Sequence, residues 1–215
     1  MPVITLSRQF GAGGAPIGRL LARRLGAEYL DREVLARAAA RSGIPEAEAE
    51  GYDERLPSLW QRLTAALAES APEAVMTPVP PQAFGGTAVG ERLFAFTRAV
   101  IEEAAASGNA VILGRGAGHI LAGRPDLLSV QLHAALDARV RLLLAKVEEL
   151  PPTTQAEMDE GALAQLCRRV DEARASYLRR RFDVDWNDVR QYHLSLDTGR
   201  LGLSRSVELI EAAAR

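Results

Sequence analysis

A glycine-rich turn near the amino terminus constrains the fold of this chain more than any other feature. Residues 3–6 form a short apolar run that is typical of a buried strand, and residues 7–18 follow with four glycines. From Ile17 onward apolar residues recur at helical spacing, and Pro16 suits the first turn of a helix, where its missing N–H is not needed. A strand, a glycine-rich loop and a helix in this order can direct backbone N–H groups and the positive end of the helix toward an anion. Phosphate is the ligand that this pattern predicts.

The loop nevertheless lacks the two side chains of a complete phosphate-binding P-loop. The full motif is G-x-x-x-x-G-K-[ST], in which the Lys binds the β- and γ-phosphates and the Ser or Thr binds the metal. When Gly13 is aligned with the second motif glycine, Arg8 stands at the first glycine, Gly14 at the Lys and Ala15 at the Ser/Thr. From this pattern alone, a phosphate site, a purely structural turn and a dinucleotide loop all stay open, because short motifs have false positives.

Composition limits the classes of protein that fit. The chain has 215 residues, a formal net charge of −2 and one cysteine, Cys167. An intrachain disulfide framework is therefore excluded, and the charge balance is not that of a general nucleic-acid binder. No apolar run approaches membrane-spanning length, and no basic and apolar leader precedes the first strand. We expect a soluble cytoplasmic protein with no membrane or nucleic-acid partner, and its oligomeric state stays open.

Strand-like and helix-like stretches alternate along the chain. A long and mainly helical stretch, with a Pro- and Gly-rich loop at 70–90, separates the second strand from the third. Ser204 is expected to cap the last helix. This order predicts an α/β fold of the P-loop type, with a parallel five-stranded sheet, helices on both faces, and a helical insertion and a lid. The predicted strands are residues 3–6, 27–30, 110–113, 128–133 and 192–197.

Charged residues follow two of the predicted strands, at the sheet edge where open α/β folds bind ligands. Asp31 and Arg32 follow the second strand. Asp31 either faces a ligand or caps the next helix, and the two readings stay open. Arg115 lies between Gly114 and Gly116 after the third strand, and its planar fork suits phosphate oxygens, although an exposed turn arginine is the alternative.

The predicted helix at 163–182 is rich in arginine. Arg168, Asp171 and Arg174 are three residues apart and so are neighbours on it. The helix is either a solvated charged surface or a lid whose arginines close over transferring phosphates. The histidines and the single cysteine have no zinc-site spacing, and no G-x-S-x-G motif supports a serine nucleophile.

Several stretches taken together identify a family. These stretches are VITLSRQFGAGG at 3–14, YLDRE at 29–33, VILGRGA at 111–117, RRVDEARASY at 168–177, DW at 185–186 and YHLSLDTGRLGL at 192–203. With these motifs the chain resembles the cytidylate kinase-like family. That family is a branch of the nucleoside monophosphate kinases within the P-loop fold. The resemblance implies a core domain formed by 1–30, 99–149 and 186–215, a monophosphate-binding insertion at 31–98, and a lid at 150–185.

The resemblance also implies roles for individual residues. Gly11, Ala12, Gly13 and Gly14 would hold the donor phosphates of ATP, with Arg8 or Arg19 in place of the missing lysine. Asp31, Arg32 and Arg115 would bind the acceptor nucleotide. Arg115, Arg168, Asp171 and Arg174 would act on the transferring group.

Three departures from the family pattern affect the expected activity. Gly116 replaces the aspartate of the family's Gly-Arg-Asp motif, and Gly14 and Ala15 replace the lysine and the hydroxyl. The expected activity is transfer of a phosphoryl group from ATP, with Mg²⁺, to CMP or dCMP. The alternative is a weak or inactive nucleotide-binding pseudokinase or sensor that acts through a partner. An NAD-type dehydrogenase fits less well, because Pro16 occupies the third glycine position and an insertion follows the second strand.

Overall fold

The core of the molecule is a parallel sheet with its first strand at the centre. The computed structural model describes residues 2–31, 88–147 and 159–215. The sheet order is β2-β3-β1-β4-β5, and each neighbouring pair is parallel. The expected α/β class and the five-stranded parallel sheet are confirmed. The strands are β1 (Val3–Arg8), β2 (Glu28–Leu30), β3 (Ala110–Leu113), β4 (Leu127–His133) and β5 (Leu194–Asp197).

Helices alternate with these strands, and their ends follow local sequence signals. Gly26 ends the first helix in a left-handed conformation with φ 60°, and Asp159 caps the long helix by accepting the N–H of Ala162 at 2.7 Å. The described helices are α1 (Gly14–Leu25), α2 (Ala88–Ala106), α3 (Ala117–Ile120), α4 (Leu136–Val147), α5 (Glu160–Phe182) and α6 (Thr198–Ala213), with a short 3₁₀ helix at Val189–Gln191.

Both faces of β1 are buried, which explains its nearly continuous apolar run. Ile4 and Leu6 pack on the face covered by α1 and α6, in a cluster that includes Val207 and Ile210. Val3 lies on the opposite face, in the cluster of α2 and α3. Helices therefore cover both faces of the sheet, as predicted.

The last helix begins earlier than the sequence suggested. Asp197 ends β5 and caps α6, because its side chain accepts the N–H groups of Gly199 and Arg200 at 3.0 and 3.2 Å. Gly202, with φ 73° and ψ 168°, kinks the helix. The prediction that Ser204 caps this helix is wrong, because the aspartate at the strand end already satisfies the first-turn donors.

Parts of two predicted regions lie outside the described residues. The insertion expected at 31–98 is described only at Asp31 and at 88–98, and the lid expected at 150–185 is described from residue 159. The loop expected at 70–90 is described only in its last three residues. The insertion and lid boundaries therefore stay predictions.

Candidate functional site

The loop between β1 and α1 presents backbone donors at the amino terminus of a helix. We call residues 9–13 the phosphate loop. Gly11 and Gly13 adopt left-handed conformations, with φ 79° and 75°. Within the described ranges, the N–H groups of Gly11, Gly13 and Gly14 donate to no other group, and the first turn of α1 has no side-chain cap and no acidic residue. Such a turn can bind an anion through its N–H groups and the helix dipole.

A buried ion pair holds the first half of the phosphate loop. Asp171 on α5 accepts the backbone N–H of Phe10 at 2.7 Å, and Arg139 on α4 donates to the Phe10 carbonyl at 3.0 Å. Arg139 and Asp171 also pair with each other at 2.7 Å, with side chains 7% and 15% exposed. The Phe10 ring is fully buried between α4 and α5. Asp171 therefore orients the loop backbone through three connected contacts.

Two further side chains fix the loop at its ends. Arg174 on α5 is buried and donates to the Arg8 carbonyl at 2.7 Å. Thr198, at the start of α6, donates to the Ala12 carbonyl at 2.9 Å. Leu203 packs over Gly13, since a Cβ at Gly13 would lie 2.5 Å from its Cδ2 atom. The two hydrogen bonds join residues 166 and 186 positions apart in the sequence.

A cavity of about 100 Å³ lies between the carboxyl ends of β1 and β3 and helix α5. We call it the arginine cavity. Among the described residues, no Asp or Glu lines it. An enclosure with several cations and no carboxylate is suited to an anionic ligand. Its charged and polar side chains are Thr5, Ser7, Arg8, Arg115, His119, Ser129, Arg174, Tyr177, Arg180, Trp186 and Tyr192.

Strand alternation brings hydroxyl groups into this cavity. Thr5 and Ser7 point to the same face of β1, and Ser129 stands opposite Thr5 on β4. The Ser7 hydroxyl accepts the indole N–H of Trp186 at 2.8 Å, and the Tyr192 hydroxyl donates to the Trp186 carbonyl at 3.0 Å. Thr5, Ser7 and Ser129 were not among the predicted site residues. Polar side chains at alternate positions of two buried strands were nevertheless a detectable signal.

The turn after β3 presents Arg115 to the cavity in an unusual conformation. Arg115 has φ 59°, between Gly114 at 78° and Gly116 at 69°. A non-glycine residue in this region is uncommon and costs free energy, and such strain is concentrated at functional sites. Arg115 is half-buried and lines the cavity, where it opposes the rise that burial causes in the pKa of Tyr177.

At Gly116, where the family motif has an aspartate, an aromatic ring fills the space. A Cβ on Gly116 would lie 2.5 Å from the ring of Phe182, so a side chain there would displace the ring. Phe182 also contacts the rings of His119 and Tyr177, with centroid separations of 5.2 and 6.3 Å. An aromatic cluster of Phe182, His119 and Tyr177 therefore lies beside position 116, and the Phe182 ring occupies the space that an aspartate side chain would need.

The sequence profile of the cytidylate kinase-like family matches residues 3–200. The chain belongs to the cytidylate kinase-like family. No curated protein matches the sequence.

Solved structures support the same fold. The chain is similar to an uncharacterized protein from Eubacterium ventriosum ATCC 27560, with 18% identity, a TM-score of 0.63, and coverage of 100% of this chain and 98% of that chain. It is also similar to shikimate kinase from Bacteroides thetaiotaomicron, with 18% identity, a TM-score of 0.50, and coverage of 99% and 97%. The profile match confirms the predicted family, and the solved structures confirm the predicted P-loop type of α/β fold.

The other predicted site residues differ in burial and in whether they line the arginine cavity. Asp31 is buried at the end of β2 with 7% exposure, and Arg32 lies outside the described residues. Arg168 is exposed on α5 and does not line the arginine cavity. Arg8 does line it, with its guanidinium against Gly114. The roles predicted for these residues stay predictions.

The described residues fit the phosphates of a nucleotide better than they fit a metal ion. The loop offers free N–H groups, but Gly14 and Ala15 stand where a P-loop has its lysine and its metal-binding hydroxyl. In the described ranges, no group of three or more His, Cys, Asp or Glu side chains is placed to hold a metal. The described residues therefore offer no preformed Mg²⁺ site. None of the described helices is long and apolar enough to cross a bilayer.

Proposed function

We propose that the protein transfers the γ-phosphoryl group of ATP to a nucleoside monophosphate, with CMP and dCMP as the first acceptors to test. The arginine cavity carries this proposal. It lies at the carboxyl edge of the sheet beside the phosphate loop, and its described lining has four arginines and no carboxylate. Membership of the cytidylate kinase-like family supports the same reaction class. In this proposal, residues 31–98 include the acceptor-binding insertion and residues 150–185 the lid.

The proposed reaction needs no protein base. An oxygen of the acceptor phosphate is already anionic at neutral pH and attacks the γ-phosphorus of ATP. The bond from that phosphorus to the β–γ bridging oxygen breaks, and ADP leaves. Catalysis of this kind depends on positioning and on charge neutralisation. Arg115 would bind the acceptor phosphate, while the N–H groups of Gly11, Gly13 and Gly14 would hold the donor.

Asp171 and Arg174 act in this proposal on the phosphate loop. Their side chains hold the backbone of Phe10 and Arg8, which fixes the loop before a nucleotide binds. Arg168 is exposed and keeps only the predicted role of a lid arginine. This division separates residues that position the loop from Arg115, which would touch the substrate.

Formation of ADP in a coupled assay tests the proposal, with CMP, dCMP, UMP, AMP and GMP as acceptors. We expect turnover with CMP or dCMP, and a loss of about 10²–10³-fold in Arg115→Ala, the range found when one preorganised donor is removed. Arg141→Ala is the matched control, because Arg141 is 69% exposed and pairs only with Asp137 in the described residues. Full activity in Arg115→Ala would contradict the assignment.

A nucleotide sensor is the second candidate, and the residues at Gly14 and Ala15 favour it. A sensor would bind ATP in calorimetric titration and would form no ADP with any acceptor. Absence of both binding and turnover would reject both candidates.

A further inference from the structure

The side chain of Arg8 is buried and has no counter-charge among the described residues. It is 7% exposed, and its guanidinium makes no hydrogen bond or ion pair with any residue in the described ranges. Its Nε atom is fully buried and also has no partner. Burial of an unpaired charge costs free energy, so such groups are normally paired or bind a ligand. The fold therefore maintains a cation for which the described chain supplies no anion.

The turn after β3 is shaped to admit this guanidinium. Arg8 is the last residue of β1, and its Nη1 atom lies where a Cβ on Gly114 would be. Any larger residue at Gly114 would displace the arginine. Glycine is thus needed at this position for space as well as for its φ of 78°. The guanidinium crosses from β1 to the turn that presents Arg115.

The surroundings of Arg8 increase its need for an anion. Arg115, Arg174 and Arg180 line the same cavity, and its described lining has no carboxylate. An anion bound beside Arg8 would therefore be attracted by several positive charges at once. The hydroxyls of Thr5 and Ser129 face the cavity and can donate further hydrogen bonds.

We propose that Arg8 binds an anionic oxygen of the phosphorylated acceptor, and that it does so on the acceptor side instead of replacing the lysine at the donor phosphates. The phosphate loop contacts α4 and α6, since Gly11 packs on Arg139 and Gly13 on Leu203. Arg8 instead reaches the β3 side of β1, beside Arg115. The identity of the acceptor rests on the proposed function, whereas the anion site rests on the contacts of Arg8.

Calorimetric titrations of Arg8→Met with inorganic phosphate, CMP and ATP test this assignment in a phosphate-free buffer. We expect the affinity for phosphate and for CMP to fall about 10–100-fold, as for the loss of a charge-assisted hydrogen bond. The affinity for ATP should change less than about threefold, within ordinary scatter. Arg23→Met, at an exposed arginine on α1, is the matched control and should change none of the three affinities.

The melting temperature without ligand separates a binding role from a structural one. Arg8→Met removes an unpaired buried charge and keeps an apolar stem, so its melting temperature should equal or exceed that of the wild type. Phosphate should raise the melting temperature of the wild type more than that of the variant, in which only the phosphate loop remains to bind it. A melting temperature below that of the wild type would assign Arg8 a structural role and overturn the proposal.

The remaining outcomes distinguish this inference from the proposed function. Arg8-dependent phosphate binding without turnover would keep the anion site and reject the kinase. Turnover with an unchanged KM for the acceptor in Arg8→Met would keep the kinase and reject the role of Arg8. An equal loss of affinity for ATP and for CMP in Arg8→Met would also overturn the inference, as would the absence of phosphate binding by the wild type.

Discussion

Replacing Asp171 tests whether the buried ion pair holds the phosphate loop. Asp171→Ala removes the 2.7 Å contact with Arg139 and the 2.7 Å acceptor for the N–H of Phe10. Arg139 is 7% exposed and would be left as a buried charge, with only the Phe10 carbonyl as its described acceptor. Breaking a buried pair on one side costs about 3–5 kcal/mol. Because Asp171 is 15% exposed, we expect the lower end, about 3 kcal/mol.

Thermal and urea denaturation measure this cost. A loss of about 3 kcal/mol lowers the melting temperature of a chain of this size by about 6–12 °C. Asp171→Asn keeps an acceptor for the Phe10 N–H and removes the charge. It should therefore lower the free energy of unfolding by less than Asp171→Ala does. The difference between the two variants includes the backbone hydrogen bond to Phe10 and the changed contact with Arg139.

Two controls complete the experiment. Asp137→Ala breaks an exposed Asp–Arg pair with Arg141, whose side chains are 67% and 69% exposed, and should cost less than about 1 kcal/mol. The double variant Arg139→Met/Asp171→Leu removes both buried charges and should cost less than the sum of the two single changes. A cost below about 1 kcal/mol for Asp171→Ala, or strict additivity in the double variant, would refute the reasoning.

Three further predictions follow from single sites. Gly116→Asp should lower the melting temperature, because φ is 69° and the ring of Phe182 fills the space, and an unchanged melting temperature would contradict this packing. Phe182→Ala should lower the melting temperature less in the Gly116→Asp background than in the wild type, because it removes the clash. Burial lowers the pKa of His119 below 6.5, so the unfolded chain binds the proton more readily than the folded chain does. The free energy of unfolding should therefore decrease as pH falls below 6.5, and in His119→Gln it should depend less on pH across that range. Burial raises the pKa of the Cys167 thiol to about 11, so folded protein at neutral pH should react with iodoacetamide far more slowly than protein unfolded in urea, and equal rates would contradict the burial.

Local sequence patterns predicted most of the described fold. The apolar run at 110–113 and the glycine at position 26 gave a strand and a helix end that the structure reproduces. These features depend on short-range periodicity and on backbone conformation, which neighbouring residues set. The cap of α6 was misassigned to Ser204, because the sequence pattern did not show that the helix begins directly after β5, where Asp197 caps it.

Residues of the candidate site were harder to assign from local patterns. Arg115 was found because its turn is marked by flanking glycines, and the structure places it in the arginine cavity. Asp171 and Arg174 were chosen for their charge, but the atoms that they contact belong to the phosphate loop. Arg139 was not selected at all, since an arginine on an amphipathic helix has no local signal of burial.

The sequence by itself determined most of the described elements, the glycine-rich turn and the family, because each is encoded in neighbouring residues. The tertiary structure decided the strand order and the partners of the charged side chains. Asp171 and Phe10 are 161 positions apart, and Arg174 and the Arg8 carbonyl are 166 apart. The packing of α5 against α4 and the loop brings them together, and it pairs Arg139 with Asp171 while Arg8 keeps no counter-charge among the described residues.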